Sequence, residues 1–159
     1  MFIIQEIWPR LRVNRDLQLW IIGKKIPDSI KELSNDPNIL FDEASSIKLT
    51  PEIFQDASVL LAPIRVGGGT SYKILESMAC GTPVITMPLS ANALHAIDEE
   101  TILVGKTAAE LAEKTINVLQ DKQLYEKISK KGRKLIEERY TWEEIGKELD
   151  KVYQLTMKK

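Results

Sequence analysis

Residues 58–88 read SVLLAPIRVGGGTSYKILESMACGTPVITMP, and the order of pieces in this stretch decides the fold. Val59-Leu60-Leu61-Ala62 has the length and composition of a buried strand. Gly67-Gly68-Gly69 follows, with Thr70 placed to cap a helix running from about Ser71 to Cys80. Gly81 and Pro83 stop that helix, the glycine being free to take the left-handed cap conformation. Val84-Ile85-Thr86 reads as the next strand. A strand, a glycine-rich loop, a helix and a strand in this order form a unit of the parallel α/β kind.

The chemistry of the unit points at an anion. A helix N-terminus leaves its first N–H groups unpaired and carries roughly half a positive charge. Glycines just before it let the backbone approach a ligand closely, and phosphate is the usual ligand there. The loop follows the carboxyl end of a strand, where open α/β sheets bind ligands. It is neither a P-loop, since no Gly-Lys-Ser/Thr follows, nor a G-x-G-x-x-G fingerprint. On the glycines alone, a plain turn before a capped helix reads equally well. Glu76 adds weight, because at the usual helical rise it lies roughly 9 Å along the axis from Thr70. That matches the separation between a pyrophosphate at the helix tip and the ribose of the same nucleotide. Tyr72, Lys73 and Glu76 share one helical face, while Ile74, Leu75 and Met78 share another. A carboxylate on the first face could accept hydrogen bonds from ribose hydroxyls. The plainer alternative is a solvated glutamate paired with Lys73.

The strings PIRVGGGT (63–70) and KILESMACGTPVI (73–85) resemble glycosyltransferase family 4. The resemblance covers nearly the whole chain and implies the C-terminal, donor-binding half of a GT-B fold, a three-layer, Rossmann-like, doubly wound parallel sheet. It implies that Glu76 holds the donor ribose, as the second glutamate of the family's E-x7-E pair. The first glutamate falls on Gly68, so this chain lacks it, and the glycine-rich version ending in Lys-Ile-Leu-Glu resembles a subgroup of the family. That departure leaves open how the donor sugar's hydroxyls are read. The expected donor-binding set is Gly68, Gly69, Thr70, Ser71, Lys73 and Glu76, with the backbone of Gly68 to Ser71 on the phosphates. No catalytic residue is assigned, and no metal ligand.

Composition bounds the rest. The 159 residues suggest one domain with a sizeable core. A formal net charge of −1 gives no basic excess for nucleic acid or an anionic membrane surface. The single cysteine, Cys80, excludes an intrachain disulfide and reads as core rather than nucleophile. No apolar run approaches the roughly 20 residues of a membrane span, and the N-terminus lacks the shape of a signal peptide. A cytoplasmic domain is the expectation. His95, the only histidine, rules out a histidine-based metal cluster; it reads as a loop residue that could touch the donor sugar. Asp42 and Glu43 would lie near the nucleotide base, where backbone contacts are the commoner choice. The basic face at Lys127, Lys130, Lys131, Arg133 and Lys134 is interleaved with glutamates and reads as solvated.

In chain order, Ile3, Ile4, Ile7, Trp8 and Leu11 fall at helical spacing, with Pro9 kinking or restarting the helix. Strands follow at Leu17–Ile22 and Asn38–Phe41, with a Ser29/Glu32 capping box between them. Thr50-Pro51 opens a helix. Leu89 to Glu100 is expected as a polar loop with at most a helical turn, before a strand at Ile102–Val104. Thr107/Glu110, Asp121 and Thr141/Glu144 begin the last three helices. The final one carries Trp142, Ile145, Leu149 and Val152.

The family half-domain opens with a strand and a loop whose arginine and lysine neutralise the donor pyrophosphate, whereas this chain opens in the helix after them. That strand is central, so a gap is expected between the 17–22 and 59–62 strands. Direct pairing of those two strands is favoured over backbone donated by a second copy, which would make a homodimer. Filling by Met1–Trp8 is least favoured, given its helical spacing. The resemblance thus implies a donor-binding half of a retaining, metal-independent glycosyltransferase. It would use a UDP- or GDP-sugar, need no cofactor and be inactive without the N-terminal acceptor-binding domain. A nucleotide-sugar epimerase and a non-catalytic nucleotide-binding or assembly module are the alternatives.

Overall fold

The computed structural model describes residues 1–13, 16–43, 50–67 and 69–157. The chain opens as a π-helical turn, Ile3–Ile7, that runs into helix α1, Trp8–Leu11. Pro9 lies in the first turn of α1, where its missing N–H is no loss. The Trp8 N–H reaches the Ile3 carbonyl, one residue further back than an α-helix allows, which is the spacing of a π-turn. The expected restart at Pro9 therefore occurs, and Ile4, Ile7, Trp8 and Leu11 are buried.

The remaining elements are β1 (Leu19–Ile22), α2 (Asp28–Lys31), β2 (Ile39–Asp42), α3 (Thr50–Asp56), β3 (Leu60–Ala62), α4 (Tyr72–Ala79) and β4 (Val84–Thr86). Then come α5 (Pro88–Ala93), β5 (Leu103–Val104), α6 (Ala108–Gln120), α7 (Lys122–Arg139) and α8 (Trp142–Met157). Every strand pairing is parallel: Leu19 lies opposite Ile39, Leu61 opposite Ile85, and Ile85 opposite Leu103. With helices between successive strands, this is the expected α/β class.

The sheet is split. Among the described residues β1–β2 form one ladder and β3–β4–β5 another, so the expected direct pairing of the first and third strands does not occur. Met1–Trp8 does not fill the slot either, being helical as its spacing predicts. The reason lies in the packing. Ile7, Trp8 and Leu11 share one apolar cluster with Ile39, Ile85 and Leu103, and Leu19, Ile21 and Leu61 pack against it. The two ladders are thus joined through side chains of the opening helix, and sliding them together would break that cluster. Alternate residues of a parallel strand turn their backbone groups to opposite sides. Since the Leu60 N–H bonds the Pro83 carbonyl at 2.9 Å, the N–H and C=O of Leu61 face the open edge.

Several boundaries differ from expectation. The Ser29/Glu32 box does not form: Pro27, extended, precedes α2, and Glu32 already ends it. Proline pre-sets that entry, and a single turn leaves no third position for a reaching glutamate. The N-cap of α4 is Ser71 rather than Thr70, with no side-chain bond to the helix amides. The helical turn allowed for within the 89–100 loop is realised as α5, six residues from Pro88 to Ala93, which buries Ser90 and Ala91. In α6 and α7 the caps act as predicted: the Thr107 hydroxyl accepts the Glu110 N–H, and Asp121 accepts from Gln123 and Leu124. The basic face of α7 is solvated, with exposed pairs Arg133–Glu137 and Lys134–Glu138. On α8, which forms as expected, Trp142, Ile145, Leu149 and Val152 are exposed.

Asp36 ties α1 to the β1–β2 unit. Its carboxylate accepts the Trp8 indole N–H at 3.0 Å, the Arg12 guanidinium at 2.7 Å and the Asn38 backbone N–H at 3.0 Å. These donors, the Asn38 N–H foremost, hold its pKa below the ordinary carboxylate value. A carboxyl whose folded pKa is depressed contributes stability above its unfolded pKa, and that contribution is lost as pH falls through the folded value. Asp36→Ala should therefore lower the melting temperature at neutral pH, and the gap to the parent should narrow as the solution is acidified below the ordinary carboxylate range. Thermal melts of both proteins at several pH values check this; a constant gap would show that Asp36 acts through packing alone.

Candidate functional site

The carboxyl end of β3 leads into the segment before α4, whose described residues form one wall of a cleft of about 260 Å³. Ile64, Gly67, Gly69, Thr70 and Ser71 line it from the loop, and Leu89, Ser90 and Ala93 from α5. Gly67 and Gly69 hold φ of +133° and +84°, values that side chains rarely adopt, and no atom stands within 4 Å of where a Cβ would project. Their conformation and open surroundings keep the loop backbone bare toward the cleft.

The end of α4 supplies donors. The first helical amides to find partners are those of Ile74 and Leu75, which both reach the Ser71 carbonyl, at 3.0 and 3.2 Å. The N–H groups of Tyr72 and Lys73 are left pointing out of the helix, as in any first turn. The helix is held rigidly behind its tip. Ile74 and Met78 are buried in the apolar cluster that contains Val84, Leu94 and Ile102. At the far end Gly81 takes φ +79°, its N–H bonding the Met78 carbonyl while the Thr82 N–H bonds that of Ser77. This is the glycine-ended cap expected from the sequence.

Of the expected donor-binding residues, Gly69, Thr70 and Ser71 come together on the cleft wall. Gly68 lies outside the described residues. Lys73 and Glu76 are exposed on the outer face of α4 with Tyr72, beyond the residues lining the cleft. Among the described residues neither makes an ion pair, so the Lys73–Glu76 pair is not formed. Sequence reasoning missed Leu89, Ser90 and Ala93; the one signal for them is Pro88, which is at home in a first helical turn.

The other candidates are set apart. The Asp42 carboxylate accepts the Trp20 indole N–H at 3.2 Å, and Glu43 pairs with Lys31 at 2.6 Å. His95 is exposed with φ 48°, where it terminates α5 as a glycine would. Cys80 is half-buried, and burial followed by the Glu76 carboxylate raises its pKa, which disfavours a nucleophilic thiolate. Among the described residues no group of three or more His, Cys, Asp or Glu could hold a metal ion, and no helix is long and apolar enough to cross a membrane.

A glycine-walled cleft at a helix tip suits an anion, and comparison with known proteins supplies the family. The model of the family described as "Glycosyl transferases group 1" matches residues 1–121. The chain belongs to that family. Solved structures agree on the fold. The C-terminal domain of a group 1 glycosyl transferase (LpcC) from Francisella tularensis superposes with a TM-score of 0.71 at 21% identity, over 87% of this chain and 77% of that one. Anabaena Alr3699/HepE, solved in complex with UDP and glucose, gives 0.77 at 15% identity, over 93% of this chain and 43% of that one. Sucrose-phosphate synthase from Thermosynechococcus elongatus gives 0.75 at 21% identity, over 97% and 42%. This chain thus spans less than half of those last two structures. Among curated proteins none matches the sequence significantly.

Proposed function

We propose that this chain is the cytoplasmic, donor-binding half of a retaining glycosyltransferase of family 4. In this reading the parent reaction moves a sugar from a nucleotide-diphosphate donor to an acceptor hydroxyl. The observation that carries it is the cleft at the N-terminus of α4, with Gly67, Gly69, Thr70 and Ser71 on its wall and unspent amides at Tyr72 and Lys73. Such donors are fixed before the ligand arrives. They suit the charge that builds on a departing diphosphate, because they need no reorganisation when the sugar bond breaks. Glu76, one and a half turns along the same helix, is the residue for the ribose, and it would act from the helix flank beside the cleft. The donor is a UDP- or GDP-sugar. In this reading the acceptor is bound by a separate half, and the donor-binding half alone transfers no sugar.

Ligand-induced melting shifts with UDP, GDP and ADP test the reading, since a ligand of the native state raises stability by mass action. At a ligand concentration of about 100 Kd the gain is roughly 2.7 kcal/mol. Glu76→Ala should weaken nucleotide binding by roughly 1.5–3 kcal/mol, the range for hydrogen bonds to a charged group. Its folding stability should be close to that of the parent, as the side chain is exposed. Equal affinity in mutant and parent would return Glu76 to an ordinary surface role. Incubation with a labelled nucleotide sugar separates the activities: transfer or epimerisation by the pure chain would contradict an inactive half-enzyme.

A further inference from the structure

None of the described residues lining the cleft carries a charged side chain, so from its lining an anionic ligand meets the partial charge of the helix end. Arg65 stands on the same loop, between Ile64 and Gly67, which both line the cleft. Its guanidinium lies over the Phe2 ring, 4.5 Å from the centroid. Phe2 is itself packed against the main apolar cluster, so the platform is anchored. Arg12 and Arg133 pair with carboxylates, whereas Arg65 makes no ion pair or hydrogen bond among the described residues. Stacking occupies the flat face of a guanidinium and leaves its edge of N–H donors available. Those donors form the planar fork that matches phosphate oxygens two at a time.

We propose that Arg65, positioned by stacking on Phe2, is a donor-binding residue that contacts the diphosphate at the rim of the cleft. The inference rests on the donor-nucleotide reading above. It divides the task between two elements: amides at the tip of α4 meet one phosphate, and the Arg65 fork meets the charge left over. The stack with Phe2 holds the side chain near that pose before the ligand binds, so less rotamer freedom is lost on contact.

The full chain, titrated by calorimetry with UDP, GDP and ADP and with the nucleoside of whichever binds tightest, tests this. Arg65→Gln should weaken the diphosphate roughly 10- to 100-fold, as expected for losing a charge-assisted bond. Nucleoside affinity and melting temperature should stay as in the parent, and the salt dependence of diphosphate binding should fall. Phe2→Leu, which keeps an apolar side chain but removes the ring, should cost the diphosphate a smaller factor, roughly 2- to 5-fold. If Arg65→Gln binds the diphosphate as the parent does, or loses nucleoside and diphosphate affinity equally, Arg65 is not the phosphate contact. If the parent binds none of the three nucleotides, the donor-site reading itself fails, and Arg65 falls with it.

Discussion

Ile74→Ala should cost about 2–5 kcal/mol of folding stability, the usual range for emptying a fully buried aliphatic site. Ile74 is 0% exposed and faces Met78, Val84, Leu94 and Ile102 in the cluster behind α4. Alanine is the better helix former by a few tenths of a kcal/mol at most, far too little to offset the cavity. A domain is stable by only about 5–15 kcal/mol, so this one change would remove a large share. Urea unfolding checks it: the midpoint should drop while the slope stays unchanged. A loss below about 1 kcal/mol would mean that α4 is not packed where it is described. The contrast with Glu76→Ala is the point of the pair. Two residues on one helix, two positions apart, should split stability from binding, because one faces the core and the other faces solvent.

Gly105→Ala should destabilise the fold by about 1–3 kcal/mol, the range for forcing added volume into a packed site. A Cβ at this position would stand 2.8 Å from the Leu111 backbone nitrogen and 3.0 Å from two atoms of its side chain. Gly105 joins β5 to the start of α6, and its own N–H bonds the Thr86 carbonyl at 3.0 Å, so the backbone is fixed from both sides. The obstacle is main chain, which cannot rotate away as a side-chain end could. Gly132→Ala meets a similar 2.8 Å approach to the Thr101 carbonyl, yet there alanine's better helix propensity returns about 1 kcal/mol. The Gly105 variant should therefore melt lower than the Gly132 variant. The reverse order would show that the β5–α6 junction yields more easily than the crossing of α7 with the Thr101 loop.

The central unit was legible because its signals are local and agree with one another. An apolar run, a glycine loop, an amphipathic helix and a Gly81 stop each specify the same element, and β3, α4 and β4 all appear. Thr70 and Ser71 could both cap, and only the backbone decides; Ser71 is extended while Tyr72 is helical. Helix α5 is legible only as a helical turn, because PLSANA has no stripe of large apolar residues, and its buried residues, Ser90 and Ala91, are small. The stripe on α8 has the spacing of a packed helix, yet it is exposed, because spacing says nothing of whether a partner surface is there. The flank of Glu76 could be read from residue number alone, whereas the Phe2–Arg65 stack joins positions far apart in sequence and needs the fold.

The split ladder has a bearing on how the molecule breathes. Among the described residues no strand-to-strand hydrogen bond links β1–β2 to β3–β4–β5, so the two ladders are not one cooperative backbone network. What couples them is apolar contact with the opening helix and the Asp36 cluster. Local opening costs least where apolar burial is least, and β1 has no fully buried residue whereas all three residues of β4 are buried. Residues 19–42 are expected to form a part that opens on its own, and native-state hydrogen exchange should show the β1–β2 amides opening before those of β3, β4 and the body of α4. The buried body of α4, which carries the cleft wall, is then expected to keep its amide protection while the neighbouring ladder opens and recloses, although the unbonded amides at its tip exchange freely.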